Sequence, residues 1–218
     1  MSQDILKIIR ILKRSYPEAK CSLVHQDPFQ LLVSTILSAQ CTDKKVNEVT
    51  PKLFAKYPES AKLAKAPLEK IESIIQPTGF YRQKAKSLKS MSEDLVSKYT
   101  GQVPAQMNQL VQLRGVGRKT ANVVLGNAFG RPDGVVVDTH VGRISRLLGL
   151  SKHKDPEKVE QDLNKIIPKK DWVIFSHLLI EHGRQICKSG RPKCSECPLK
   201  SLCPKLGLNN PPVPGDVM

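Results

Sequence analysis

At 218 residues, with 39% hydrophobic side chains, the chain is long enough for one large domain or two small ones and apolar enough for a real core, which excludes a disordered or fibrous protein. Its 35 Lys and Arg against 20 Asp and Glu leave a formal net charge of +15, an imbalance that points to a polyanionic partner. No apolar run reaches the roughly 18 residues of a membrane span, so nucleic acid is the expected polyanion and a membrane is not.

Helical signals begin at the N-terminus. Ile5, Ile8, Ile9 and Leu12 share one side of a first helix, with Lys7, Arg10, Lys13 and Arg14 interleaved. A targeting peptide or membrane-surface helix has a similar pattern. This segment, however, carries Asp4, is poor in serine and closes at Tyr16-Pro17 as a docked helix does. Asp27-Pro28 reads as an N-cap followed by proline at the first helical position, and the apolar run behind it predicts a core helix ending at Gln40. Thr42 caps the next helix, over residues 43–58, which Pro51 is expected to kink or split. Short helices at 61–66 and 67–75 and a turn at 76–79 precede a long helix over 81–99. Its Ala85, Leu88, Leu95 and Tyr99 face inward, with Lys84, Lys86, Lys89 and Lys98 among the solvent-facing positions.

Residues 113–140 are the stretch around which the rest of the chain is organised. In the run Leu113-Arg114-Gly115-Val116-Gly117-Arg118-Lys119-Thr120-Ala121, two glycines one residue apart permit positive φ and remove two Cβ atoms, so backbone N–H groups can approach a ligand. A helix begins directly behind them. Its N-terminal amides and dipole suit an anion, which in so basic a chain is a backbone phosphate. Leu110 and Leu113 before the turn, and Ala121, Val124 and Leu125 after it, make this a helix-turn-helix hairpin. Tight helix connections also use glycine for steric reasons alone, so the turn by itself leaves both readings open. Lys119 stands in the first turn, where the helix dipole disfavours a cation and thereby favours the neutral, nucleophilic amine; a further phosphate contact is the plainer role.

A turn at Arg131-Pro132-Asp133-Gly134 leads into a short buried extended piece, Val135 to Val137, and Asp138 caps the next helix. Asp155-Pro156 opens another, with Val159, Leu163 and Ile166 on one face, and a last long helix spans 171–187. There is no strand-helix alternation and no repeat, so the predicted fold is all-α with roughly ten helices. The stretch 204–218, rich in Asn and Pro, is expected to be an unstructured tail.

Of six cysteines, Cys21 and Cys41 stand alone and read as small buried residues. Cys187, Cys194, Cys197 and Cys203, spaced C-x6-C-x2-C-x5-C, bring four thiolates into one loop, a pattern that zinc and an iron-sulfur cluster both accept. Lys188, Arg191 and Lys193 lie inside the x6 loop, so pinning it would hold three cations against phosphates.

The string LxGVGxKTA at 113–121, VDTHVGR at 137–143 and the cysteine spacing together resemble the endonuclease III family of DNA repair glycosylases, and the resemblance spans nearly the whole chain. It implies two helical lobes with a DNA cleft between them: a middle domain over 21–130 carrying the helix-hairpin-helix, and a discontinuous domain from 1–20 and 131–218 carrying a [4Fe-4S] cluster on the four cysteines. It also implies a bifunctional enzyme acting as a monomer on double-stranded DNA with damaged bases or abasic sites, excising oxidised pyrimidines and cutting by β-elimination. Lys119 would form the Schiff base, and Asp138 would stabilise the sugar cation and move protons. Gln40 and Phe80 would fill the hole left by a flipped base, although the family commonly has leucine where Phe80 stands. If it does not enter DNA, Phe80 would staple the following helix. Gly115, Gly117, Arg118, His140 and Arg143 would contact DNA, as would the three loop cations. A cytoplasmic location is implied as well, on the nucleoid if the source is prokaryotic.

Two other functions fit parts of the pattern. Adenine-excising mismatch glycosylases share the hairpin and the cluster but lack the lysine and need a glutamate in the first core helix, whereas residues 29–40 here hold no acid. A non-catalytic DNA-binding module would use the hairpin and cluster only to grip phosphates.

Overall fold

The computed structural model describes residues 2–208, apart from the side chains of residues 2 and 3. All regular structure among them is helical. Eleven α-helices run in order as α1 Ser2–Ser15, α2 Pro28–Leu37, α3 Asp43–Lys56, α4 Ser60–Ala64, α5 Leu68–Ile75, α6 Tyr81–Tyr99, α7 Met107–Leu110, α8 Arg118–Phe129, α9 Thr139–Leu147, α10 Pro156–Ile166 and α11 Trp172–Gln185. Single 3₁₀ turns occupy Gln76–Thr78 and Lys169–Asp171. None of these helices is long and apolar enough to cross a membrane. The chain divides into two compact units, one from residues 21–133 and the other from residues 1–20 with 134–218.

In the contiguous unit α2 is the central element. Leu31, Leu32, Val33 and Leu37 are wholly buried, and α2 packs against α3, α6 and α8. The helix starts where Asp27 accepts the Gln30 N–H at 2.8 Å with Pro28 behind it. It stops at Leu37 rather than Gln40: Ser38 is the C-cap and Gln40 adopts a left-handed φ of 53°, turning the chain toward Thr42, which caps α3. Pro51 does not split α3. Burial of Val46, Val49 and Leu53 on one face holds the helix together against the lost hydrogen bond and ring clash of the proline, which together cost about 3 kcal/mol. Cys21 and Cys41 are half-buried against this core.

The lysines of α6 depart from the solvent-facing expectation. Lys84 is 6% exposed, and its Nζ donates to Leu37 O and Thr78 O, both at 2.8 Å. Lys89 donates to Ala64 O at 2.7 Å and Ala66 O at 3.0 Å. Both cations thus satisfy carbonyls at the ends of other helices, where the dipole favours positive charge.

The discontinuous unit is built on α11, which packs against α1 and α9, and α10 adds to α9. The apolar side of α1, Ile5, Ile8, Ile9 and Leu12, is buried with Phe175, Leu178 and Leu179 of α11 in one core. Lys13 Nζ pairs with the nearly buried Asp171 carboxylate at 2.7 Å, just ahead of α11. Ile166, expected to face inward, is 37% exposed. Ile167, leaving the helix in an extended conformation, takes the inward place at 3%. At the C-terminal end Leu206 N–H donates to Leu147 O at 3.2 Å; the rest of the expected tail, 209–218, lies outside the described residues.

Because Leu12 is 0% exposed and Leu6 is 48% exposed on the same helix, Leu12→Ala should cost about 2–5 kcal/mol. Leu6→Ala should stay within about 0.5 kcal/mol. Denaturant melts of the two variants check this, and equal midpoints would contradict the docking of α1.

Candidate functional site

The turn between α7 and α8 is held from beneath by Leu113 and Val116, 3% and 5% exposed. Leu113 N–H donates to Leu110 O and Val116 N–H to Leu113 O, both at 3.1 Å. Gly115 has φ of 78°, and a Cβ there would sit 2.9 Å from Ser87 Cβ on α6, so both conformation and contact demand glycine. Gly117 differs from the expectation of positive φ. It is the extended N-cap of α8 at φ −88°, and a Cβ would meet nothing within 4 Å. Its missing side chain leaves open space at a helix N-terminus that no side chain caps.

Lys119 is exposed on the first turn of α8. Arg118, expected to contact DNA, is exposed, pairs with Asp133 at 3.1 Å and donates to Asp133 O at 3.3 Å. Asp133 N–H in turn donates to the buried Asn122 Oδ1 at 2.9 Å, so Arg118 fastens the chain that leaves α8. Asn122, one turn beyond Lys119, carried no separate signal in the sequence.

Gln40 and Phe80 are both exposed, Phe80 by 67%, and both adopt left-handed φ, 53° and 48°. For residues with a Cβ this conformation costs of the order of 1–3 kcal/mol each. With two-thirds of its surface exposed, Phe80 is not folded down as a staple on α6, which it caps.

In the discontinuous unit the extended stretch Val135–Val137 is anchored by Val135 N–H donating to Asn164 Oδ1 at 2.9 Å. Gly134 precedes it at φ 152°, where a Cβ would overlap the Glu160 carboxylate. Asp138 then caps α9, its Oδ1 accepting the Val141 N–H at 2.8 Å, and is half-buried. His140 lies against Gly183, where an added Cβ would fall 2.5 Å from Nδ1. Arg143 reaches the cysteine loop, donating to Cys187 O at 2.6 Å and to Cys187 Sγ at 3.5 Å.

Cys187, Cys194, Cys197 and Cys203 line one cavity at the end of α11, together with Ile144 and His182. None of the six cysteines is in a disulfide. Burial pushes the Cys197 thiol up to about 11, with the other three cysteines adding to a shift that the Leu199 backbone opposes. Burial likewise raises Cys203. Among the described residues no group of three or more His, Cys, Asp or Glu is drawn together so as to hold a metal ion. The loop is pinned by its backbone, with Lys188 and Lys193 N–H both donating to Ile186 O, at 2.9 and 3.0 Å. Lys188, Arg191 and Lys193 are exposed, and Lys193 pairs loosely with Glu196 at 3.7 Å.

One partner of this cavity went unread in the sequence. His182 is 2% exposed, and burial, then Arg143, push its imidazole down to about 4. Tyr16 Oη lies 2.9 Å from its Nδ1, and Nε2 lies 3.6 Å from Cys197 Sγ. With Tyr16 donating to Nδ1, the neutral ring presents Nε2–H to the sulfur. A histidine five residues before the first cysteine, on the buried face of α11, was the available signal.

Residues 33–169 match the family model described as HhH-GPD superfamily base excision DNA repair protein. The chain is 52% identical to endonuclease III of Synechocystis sp. over 202 residues, 93% of this chain and 92% of the relative. It is 48% identical to endonuclease III of Bacillus subtilis, over 86% of each. Its fold superposes with a TM-score of 0.88 on a trapped endonuclease III–DNA covalent intermediate, an estranged-adenine complex, at 45% identity over 94% of this chain and 96% of the other. With its glycine-edged hairpin and capped aspartate, the chain belongs to the HhH-GPD superfamily of base excision DNA repair proteins, within the endonuclease III family.

Proposed function

We propose that this chain is a bifunctional base excision repair enzyme that removes oxidised or ring-damaged pyrimidines from duplex DNA and then cuts the abasic strand by β-elimination. The observation that carries the reading is Lys119, an exposed amine on an uncapped helix N-terminus behind an open glycine, in a chain whose solved relative is a covalent intermediate with DNA.

In the proposed reaction the turn amides and Gly117 receive a backbone phosphate, and the damaged nucleotide is turned out of the stack. The neutral Lys119 amine attacks C1′, and the bond to the base breaks with its electrons leaving on the base, which is protonated. The ionised Asp138, already accepting one backbone N–H, stabilises the positive charge at C1′ and accepts the proton lost by the amine. Ring opening gives an iminium between Lys119 and C1′. Loss of a C2′ proton then expels the 3′ phosphate, and water releases the lysine and an unsaturated aldehyde.

We assign a [4Fe-4S] cluster to Cys187, Cys194, Cys197 and Cys203. Four soft sulfur donors line one cavity, and their C-x6-C-x2-C-x5-C spacing, similar to the family's cluster loop, supports iron-sulfur over zinc. N–H donors near Cys187 and Cys197 suit ionised sulfur. Bound there, the cluster would hold the loop rigid and so fix the positions of Lys188, Arg191 and Lys193. Iron binding would displace protons from thiols that burial now keeps protonated, so loading should weaken as pH falls.

Incubation of cluster-loaded protein with abasic-site DNA and borohydride should give a covalent adduct that Lys119→Ala loses; a wild-type sample that traps nothing refutes the lyase. Asp138→Asn keeps a capping oxygen and should bind DNA normally but excise bases at least ~10²-fold more slowly. A near-parental single-turnover rate would leave Asp138 only as a cap. Gly115→Ala should lower stability by more than about 1 kcal/mol through strain and the Ser87 contact. Gly117→Ala should melt as the parent does yet bind duplex more weakly in fluorescence anisotropy, and unchanged affinity would remove phosphate from that face.

A further inference from the structure

Lys84 is a buried cation at the fourth position of α6, where its own helix dipole disfavours charge, and the proposed excision and strand-cutting chemistry does not use it. Its two bonds identify what it does there. Leu37 is the last residue of α2, and its carbonyl has no following helical turn to supply a donor. Thr78 ends the 3₁₀ turn that leads through Gly79 to Phe80. One ammonium 2.8 Å from each oxygen keeps those two carbonyls no further apart than twice that distance. Three residues beyond Leu37 stands Gln40, and two residues beyond Thr78 stands Phe80, both exposed and both in left-handed backbone. Such conformations persist only where the surroundings over-determine them. A third tie closes the arrangement, since Lys84 N–H donates to Phe80 O at 3.0 Å. Burial lowers the affinity of this lysine for its proton, with Cys41 acting in the opposite direction, so its charge is held there at a cost.

We propose that Lys84 is a positioning residue whose buried ammonium clamps the root of Gln40 to the root of Phe80, so that the two side chains enter the duplex as one unit. This rests on the reading that Gln40 and Phe80 fill the space left by the extruded nucleotide. Two side chains entering a paired duplex together must also push aside the base opposite the lesion, so the clamp should matter most there. It should matter little when that base is missing.

The test measures single-turnover excision by cluster-loaded protein from a duplex with one thymine glycol opposite adenine, and from the same strand opposite a one-nucleotide gap. Lys84→Met should lose at least ~10-fold on the paired duplex and no more than about 3-fold on the gapped one. Added to Gln40→Ala/Phe80→Ala, it should change the rate by less than about 2-fold, because coupled residues are non-additive. Equal losses of Lys84→Met on both substrates would make the lysine a general support of the fold and overturn the proposal. A parental rate on the paired duplex would overturn it too, while a slow Gln40→Ala/Phe80→Ala variant would leave the insertion reading standing. A parental rate for Gln40→Ala/Phe80→Ala would instead remove the insertion reading, and the clamp with it. Should Lys84→Met fail to fold by thermal melt, Lys84→Gln, whose shorter neutral amide cannot hold both carbonyls, is put through the same comparison with the same criteria.

Discussion

A helix N-terminus offers its amides to an anion only if nothing of the protein stands in the way, and that constraint shapes the turn before α8. Leu113 and Val116 pull the turn down by burial, Gly115 bends it against Ser87, and Gly117 leaves the approach bare. The two glycines therefore do different work. One is required by the protein's own packing, and the other answers to no neighbour within the chain, as expected of a surface shaped for something outside it. Lys119 is carried on the same first turn, so its amine and the anion site are set by a single backbone geometry.

Much of this was legible beforehand because local rules wrote it. Asp27, Thr42, Asp138 and Asp155 all cap the helices directly after them, since an oxygen three residues before an orphan N–H needs no tertiary information. The four cysteines advertised a shared cavity by spacing alone. What escaped depends on partners far along the chain. Lys84 sits in a run of lysines that reads as a solvated face, and only folding brings Leu37 O to it from 47 positions away. The ion pair between Arg118 and Asp133 escaped likewise, since only the fold returns Asp133 to that guanidinium. Ile166 was misread for the opposite reason: a local rule applied, and the exit of Ile167 from its helix outweighed it, while the packing of Val46, Val49 and Leu53 keeps α3 unbroken across Pro51.

The cysteine cavity obeys a different balance. Burial opposes ionisation of its thiols, the thiols oppose one another, and Arg143 together with a neutral His182 supplies the N–H groups that ionised sulfur would accept. Tyr16, just past the end of α1, reaches the same ring, so the first helix takes part in the environment of sulfurs near the opposite end of the chain. In that unit the packing of α1 and the chemistry of the loop are parts of one network.

Building one unit from both the beginning and the last third of the chain has a consequence for biosynthesis. At translation rates of about 5–20 residues per second, the apolar side of α1 leaves the ribosome seconds before α11 exists to cover it, while the intervening unit can complete its own core without delay. The charges interleaved with Ile5, Ile8 and Ile9 then act as solubilising guards for a waiting helix.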